Sequence, residues 1–236
     1  LTPPSQLLLR NINDLTGKVL LVEPMADDLA RELAQAAPEL QLACYTTDKT
    51  VANSWQAQSE AACFFAVKLE TAEVFDTVVI FYPKSKEQLS FSLSQLTANI
   101  TAKTEVYLVG DNKGGIKSLT GHAEKLGLTA HKLDNAKHCL WFALNGLADK
   151  PQPAITMQQF SAKTADSSIK FCSLPGVFNH GKLDIGTAIL LEHVAHIHQG
   201  TVLDFACGAG IVGSYLLQQQ PALKMYCSDV SALAVD

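Results

Sequence analysis

The sequence predicts an α/β protein: a mostly parallel sheet that ends in an antiparallel hairpin, followed by the start of a second domain of the same fold. Three observations carry this. Short apolar runs alternate with helix-like stretches along the first 150 residues. Two further runs close that region with only a short connection between them, as a hairpin would. The opening of the chain also repeats itself, strand, turn and helix in the same order, near the end.

The runs read as strands are Lys18–Glu23, Gln41–Tyr45, Cys63–Leu69, Asp76–Tyr82, Glu105–Gly110, Leu128–Leu133 and His138–Leu144, the last two forming the hairpin. Between them lie expected helices over Asp27–Ala37, stopped by Pro38, over Lys86–Ile100 with Leu89, Leu93 and Leu96 on one face, and over Ser118–Leu126, closed by Gly127. Residues 1–148 form the expected first domain. Residues 149–172, with Pro151 and Pro153 and little apolar periodicity, are expected as a linker, with a short strand near Ile169–Cys172. Residues 173–236 start the second domain: a helix near Ile185–His196, a strand at Thr201–Phe205, a glycine-rich turn, a helix at Ile211–Gln219 and a strand at Leu223–Ser228. Two strands do not make an independent sheet, so this domain is expected to be incomplete.

Displacing the chain by 183 residues lays Leu7–Cys44 over Leu190–Cys227 without a gap, with 11 of 38 positions identical. The pairs include Gly17/Gly200, Val19/Val202, Leu20/Leu203, Pro38/Pro221 and Cys44/Cys227. Duplication explains why the helix-ending proline recurs in place. The copies diverge at Asp204, Gly208, Gly210 and Asp229, where the first copy has Leu21, Met25, Asp27 and Thr46. A cofactor loop is therefore expected in the second copy alone.

Bulk properties narrow the function. The 236 residues are 47% apolar with net charge −5. Up to Lys150 there are 14 basic against 17 acidic residues, and beyond it 4 against 6. Any nucleic acid must then meet a local patch. None of the six cysteines is spaced C-x-x-C, which fits free, buried thiols in a reducing cytoplasm. No secretory pattern or apolar run of about 18 residues occurs, so a cytoplasmic protein outside the membrane is expected.

The chemistry concentrates in Val202–Gly210, where a strand runs into a helix through a glycine turn, and in Asp229 at the end of the next strand. Glycines allow a ligand close to the backbone, and a carboxylate at that distance can take both hydroxyls of a ribose. Gly208, Gly210 and Gly213 satisfy G-x-G-x-x-G, which would suit NAD and an oxidoreductase. Asp204 within the strand argues instead for a cationic cofactor, S-adenosylmethionine, whose sulfonium and ammonium it would face.

These residues resemble motifs I and II of the class I methyltransferases, with Ala206 where glycine is commoner. Leu174–Phe178, Leu183–Thr187, Leu190-Leu191, Pro4–Arg10, Tyr82-Pro83-Lys84 and Gly110–Ser118 make the whole chain similar to the RsmC family of small-subunit rRNA guanine-N2 methyltransferases. The resemblance implies a Rossmann-like sheet of class I methyltransferase type in two tandem copies, of which only the second binds S-adenosyl-L-methionine. It implies 16S ribosomal RNA or the small subunit as partner and transfer of methyl to a guanine exocyclic amine. It places the cofactor on Asp204, Ala206, Cys207, Gly208, Gly210 and Asp229, with Gly186 and Thr187. A sister family acting on large-subunit RNA shares the architecture, and a non-catalytic RNA-binding or scaffold module is the reading from another class. The family's N-P-P-F base-binding motif is absent, Phe81-Tyr82-Pro83-Lys84 being the nearest stretch, so no catalytic residue is named. The chain is expected to stop before the end of its catalytic domain and to be inactive alone.

Gly110–Ser118 nearly matches a P-loop but has Ile116 where lysine is required, so Lys113 and Lys117, with Lys84 and Lys86, are expected as RNA phosphate contacts at one sheet edge. His193, His196 and His198 lack partners for a metal, and none is expected. Asp27, Asp28 and Glu32 suit a helix N-terminus, and Trp55 and Trp141 are expected in the core. A monomer is expected.

Overall fold

The computed structural model describes residues 1–163, 168–194 and 196–235. Residues 164–167 of the expected linker and Ala195 of the expected helix lie outside them. The chain forms two compact units, Leu1–Ala154 and the remainder from Ile155.

The first unit opens with helix α1 (Pro3–Arg10), started by two prolines that cost no hydrogen bond in a first turn. There follow β1 (Lys18–Val22), α2 (Leu29–Ala36), β2 (Gln41–Thr46), α3 (Lys49–Gln58), β3 (Ala62–Phe65), β4 (Thr77–Phe81), α4 (Lys86–Gln95), β5 (Glu105–Asp111), α5 (Leu119–Lys125), β6 (Thr129–Ala136) and β7 (Cys139–Asn145). The seven strands form one sheet in the order β3-β2-β1-β4-β5-β7-β6. β7 runs antiparallel between β5 and β6, so the antiparallel strand is the penultimate one. The β6–β7 turn is Lys137-His138, both left-handed at φ 52° and 60°, the pairing a two-residue hairpin needs.

The central strands read as continuous apolar runs because both faces are covered. Leu20, Val22, Val78, Ile80 and Leu108 enter one core cluster, and Val19, Leu21, Val79 and Val109 enter the other. Trp55 and Trp141 are buried as expected, with their ring N–H groups bonded to the Ala61 carbonyl and the Asp14 carboxylate. Helix α3 was not expected. It is capped by Asp48, which accepts from Thr50 N and Val51 N, and it buries only Ala52 and Trp55.

The second unit contains β8 (Gln158–Lys163), β9 (Ser168–Ser173), α6 (Ile185–Val194), β10 (Thr201–Phe205), α7 (Ile211–Gln219), β11 (Lys224–Ser228) and α8 (Ala232–Val235). The expected linker is corrected here. Its later half is an antiparallel hairpin, β8 with β9, belonging to the second unit. Alternation on β9 turns Ile169 and Phe171 inward, beside Ile211, Tyr215 and Leu216 of α7. Its partner β8 offers only Phe160 to that cluster, too weak a pattern to read as a strand.

The two units repeat at the sequence offset. Each registered pair between β1 and β2, from Lys18↔Gln41 to Val22↔Tyr45, recurs 183 residues later between β10 and β11, from Thr201↔Lys224 to Phe205↔Ser228. The helix starts at Lys49 and Ala232 keep the same offset.

The cysteine expectation needs correcting in part. Cys44, Cys139 and Cys207 are buried and Cys63 partly so, but Cys172 and Cys227 are exposed. Cys172 alternates outward on β9, and Cys227 sits on a β11 that exposes most of its residues. Among the described residues no helix is long and apolar enough to cross a membrane.

Candidate functional site

Strand β10 leads into a turn with three left-handed residues, Ala206 (φ 58°), Gly208 (φ 53°) and Gly210 (φ 67°). Cys207 N donates to the Ser228 carbonyl at 3.0 Å, so the turn is tied to the end of β11. A Cβ at Gly208 would lie 3.0 Å from the Phe178 carbonyl oxygen, whereas at Gly210 it would meet no atom within 4 Å. The first glycine therefore seats the turn against its own protein, and the second leaves open space above the start of α7. Gly213 packs α7 onto the strands, its Cβ position lying 3.4 Å from Cys227 Sγ and 3.5 Å from Asp204 Oδ2. Ala206 holds a conformation that costs a β-carbon about 1 kcal/mol, which is why glycine suits that position.

Two carboxylates flank the turn. Asp204 Oδ2 accepts from Gly213 N at 3.1 Å, satisfying one of the free N–H groups of the helix start. Partial burial pushes its carboxyl up, the charge of Asp229 pushes it the same way, and the Gly213 bond opposes both. Asp229 Oδ2 accepts from Gly208 N at 2.8 Å and Oδ1 from Ser231 N at 2.9 Å. A carboxylate has about four acceptor positions, so two remain for a ligand diol. The structure thus brings Asp204, Cys207, Gly208, Gly210 and Asp229 together around one turn.

Gly186 and Thr187 stand in a neighbouring network. Asp184 accepts from Gly186 N, Thr187 N and Thr187 Oγ1, and Asn179 Nδ2 donates to the same hydroxyl. Among the described residues their hydrogen bonds run to this pair, and they reach the turn through the preceding loop. There Ala209 N donates to the Phe178 carbonyl at 3.2 Å. Phe178 and Asp184 lie in stretches that carried the family resemblance but were not named as site residues, and Asn179 was not singled out at all. An aspartate two and three residues before Gly186 and Thr187 is a helix-start signal that reveals one of them.

The first unit closes the equivalent place. Glu23, the counterpart of Ala206, is also left-handed at φ 50°. Its carboxylate accepts from Thr46 Oγ1 at 2.7 Å, Thr47 N at 3.0 Å and Thr47 Oγ1 at 2.7 Å. Thr46 replaces Asp229 and Met25 replaces Gly208, and Asp27, in place of Gly210, ties down Thr2 at 2.7 Å.

The lysines expected to meet RNA are all exposed. Lys84 follows β4 and Lys86 opens α4, while Lys113 and Lys117 lie in the two tight turns after β5. Tyr82 joins the two loops: its N–H donates to the Val109 carbonyl, and its hydroxyl lies 3.5 Å from Ser118 Oγ. Behind them burial, Lys86 and Lys125 hold the His122 imidazole below its usual range, against Glu87. Ile116, at the lysine position of a P-loop, is fully buried. His193 Nδ1 lies 2.8 Å from the Ile189 carbonyl, and among the described residues no three metal-ligating side chains converge.

The model for the methyltransferase small domain N-terminal family matches residues 5–163, and that for the methyltransferase small domain matches residues 168–236. The second match places the glycine turn in a methyltransferase domain rather than a dinucleotide-binding one. The ribosomal RNA small subunit methyltransferase C of Pseudoalteromonas translucida is 41% identical over 239 residues, covering 100% of this chain and 70% of its own length. The protein of that name from Shewanella sp. (strain MR-4) is 34% identical over 238 residues, covering 100% of this chain and 69% of its own. A solved structure, the T. thermophilus 16S rRNA N2 methyltransferase (RsmC) in complex with AdoMet and guanosine, shares the fold with a TM-score of 0.78 at 19% identity. That match covers 99% of this chain, which spans 64% of the length of that protein. With methyltransferase domains matched along both parts and relatives at 41% and 34% identity over all of it, the chain belongs to the ribosomal RNA small subunit methyltransferase C family.

Proposed function

We propose that the protein transfers a methyl group from S-adenosylmethionine to the exocyclic N2 of a guanine in 16S ribosomal RNA, with the cofactor held by the second unit. The observation that carries this is the pair of partly exposed carboxylates, Asp204 and Asp229, on either side of the open Gly208–Gly210 turn, in a chain of this family. The site fits the cofactor. It offers negative charge to a cation, free acceptor positions to a diol, and space above Gly210. When bound, S-adenosylmethionine supplies an electrophilic methyl on a sulfonium. Asp229 takes the ribose hydroxyls, Asp204 balances the positive charge, and the turn from Ala206 to Gly210 sets how close the cofactor comes to the backbone. No group of this chain is assigned to the guanine amine.

Calorimetry with S-adenosylmethionine tests the site. Asp229→Asn is expected to weaken binding by roughly tenfold to a hundredfold, since it swaps a charged acceptor for an amide. Asp204 adds a pH signature. Its carboxyl is raised, and a cation binds best to the charged form. Affinity should therefore rise as pH climbs through that raised value and level off above it, while Asp204→Asn should bind weakly at every pH. An affinity independent of both changes would place the cofactor elsewhere.

The first unit has no cofactor function in this proposal and contributes RNA contact through Lys84, Lys86, Lys113 and Lys117. Reversing charge at Lys84 and Lys113 together should weaken binding of a 16S RNA fragment and lower the slope of log affinity against log salt by about two. The second-unit site should keep its affinity for the cofactor. Unchanged RNA affinity at moderate salt would remove this edge from the interface.

A further inference from the structure

Cys44 on β2 and Cys63 on β3 stand directly opposite each other in parallel register. β3 is the terminal strand of the seven-stranded sheet. Cys44 is fully buried, Cys63 is partly exposed, and both belong to the core face that holds Trp55. Adjacent strands run about 4.8 Å apart, and a disulfide needs Cα atoms about 4.4–6.8 Å apart. A sulfur–sulfur bond is therefore within reach of side-chain rotation.

We propose that Cys44 and Cys63 form a hydroperoxide-reactive thiol pair that closes to an intrachain disulfide. Cys63 is the attacking thiol. It lies on the strand with an open edge, and the ammonium of Lys49 approaches it from α3, sitting 4.9 Å over the neighbouring Phe65 ring. The Cys63 thiolate attacks one oxygen of the peroxide, the O–O bond breaks, and hydroxide leaves and is protonated to water, or, from an organic hydroperoxide, alkoxide leaves and is protonated to alcohol. Cys63 is then a sulfenic acid. The Cys44 sulfur attacks it, loses its proton to the departing hydroxide, and releases water. Two thiols are oxidised by two electrons and one peroxide is reduced, and a dithiol reductant reverses the bond.

The other cysteines mark the contrast. Burial pushes Cys139 and Cys207 up to about 11, and burial also raises Cys227. Cys63 instead is held below the ordinary thiol range by the Cys44 thiol paired with it across the strands, helped by Lys49 and opposed by partial burial. Cys227, the repeat counterpart of Cys44, and Cys207 of the same unit are both raised, first by burial, and should stay reduced.

The test is a short exposure of the folded chain to hydrogen peroxide, then alkylation of remaining thiols and peptide mass spectrometry. A Cys44–Cys63 linked peptide is expected, removed by a dithiol reductant and absent from Cys63→Ser. In Cys44→Ser, Cys63 lacks its resolving partner and should accumulate as sulfinic acid. Without peroxide, iodoacetamide should label Cys63 of the unmodified protein faster than Cys44, Cys139 or Cys207, a reading that depends on no variant. Labelling of Cys63 no faster than of those three, linkage through Cys207–Cys227 instead, or no linkage while the protein remains folded would overturn the proposal.

Discussion

Gly208→Ala should abolish measurable binding of S-adenosylmethionine, and Gly210→Ala should do nearly the same for a different reason. At Gly208 the added carbon meets the Phe178 carbonyl at 3.0 Å and the Phe178 Cβ at 3.1 Å, and the residue holds φ 53°. Neither obstacle is the far end of a flexible side chain. The turn must shift, and it carries the N–H that fixes Asp229 and the neighbouring N–H that holds the Phe178 loop. The contact asks the Phe178 loop or the turn to give by a few tenths of an ångström, and the left-handed backbone resists the substitution independently. The same substitution should lower stability by about 1–3 kcal/mol, from the left-handed backbone and the contact together. At Gly210 nothing of the protein lies within 4 Å of the new carbon, so stability should fall by only the conformational cost of about 1 kcal/mol. The added carbon instead projects into the open space that the proposal gives to the cofactor. Calorimetry beside thermal melting separates the two: both variants lose affinity, and Gly208→Ala loses more stability. Cofactor binding retained in Gly210→Ala would show that the cofactor does not lie over that residue.

The sequence disclosed these glycines and acids because their spacing is set by one strand, one turn and one helix. Local chain geometry brings Gly208, Gly210 and Asp204 together wherever those three elements form. The central strands were equally legible, since Val19–Val22 and Val78–Ile80 are buried on both faces and read as unbroken apolar runs. Helix α3 was hidden by its own polarity, for it buries only Ala52 and Trp55, and seven of its ten residues are polar or alanine outside the core. β9 was expected near Ile169–Cys172, but its partner β8 was hidden in the same way, because among the described residues it contributes only Phe160 to the core. The loop that carries Phe178 and Asn179 folds back over the turn, and no periodicity encodes such a return. The repeat at offset 183 was visible, but its chemical consequence in the first copy was not. Nothing in the sequence says that Glu23 adopts a left-handed backbone and turns its carboxylate toward Thr46 and Thr47.

That carboxylate supports the second large effect. Glu23→Ala should destabilise the first unit by about 2–4 kcal/mol, because it strands three donors at once. Thr46 and Thr47 are 0% and 5% exposed, so the Thr47 N–H and the two hydroxyls have little water to turn to. Glu23→Gln keeps an acceptor for Thr47 and should cost far less. The two variants also differ in their response to pH. Burial raises the Glu23 carboxyl, outweighing the Thr47 and Thr46 hydrogen bonds that lower it. The folded state therefore holds its proton more tightly than the unfolded chain does. The stability this adds is complete below the ordinary carboxyl range and is lost as pH rises through the raised value. Melting temperature followed from acid to neutral pH should show that decline in the parent protein and less of it in Glu23→Gln. The comparison bears on function because Glu23 occupies the position of Ala206 in the turn proposed to hold the cofactor. If the first unit has exchanged a ligand site for an internal carboxylate, removing Glu23 should cost stability and create no affinity for S-adenosylmethionine. Cofactor binding gained by the first unit in Glu23→Ala, measured in a background where Gly208→Ala has silenced the second, would mean that the old site is only blocked and not lost.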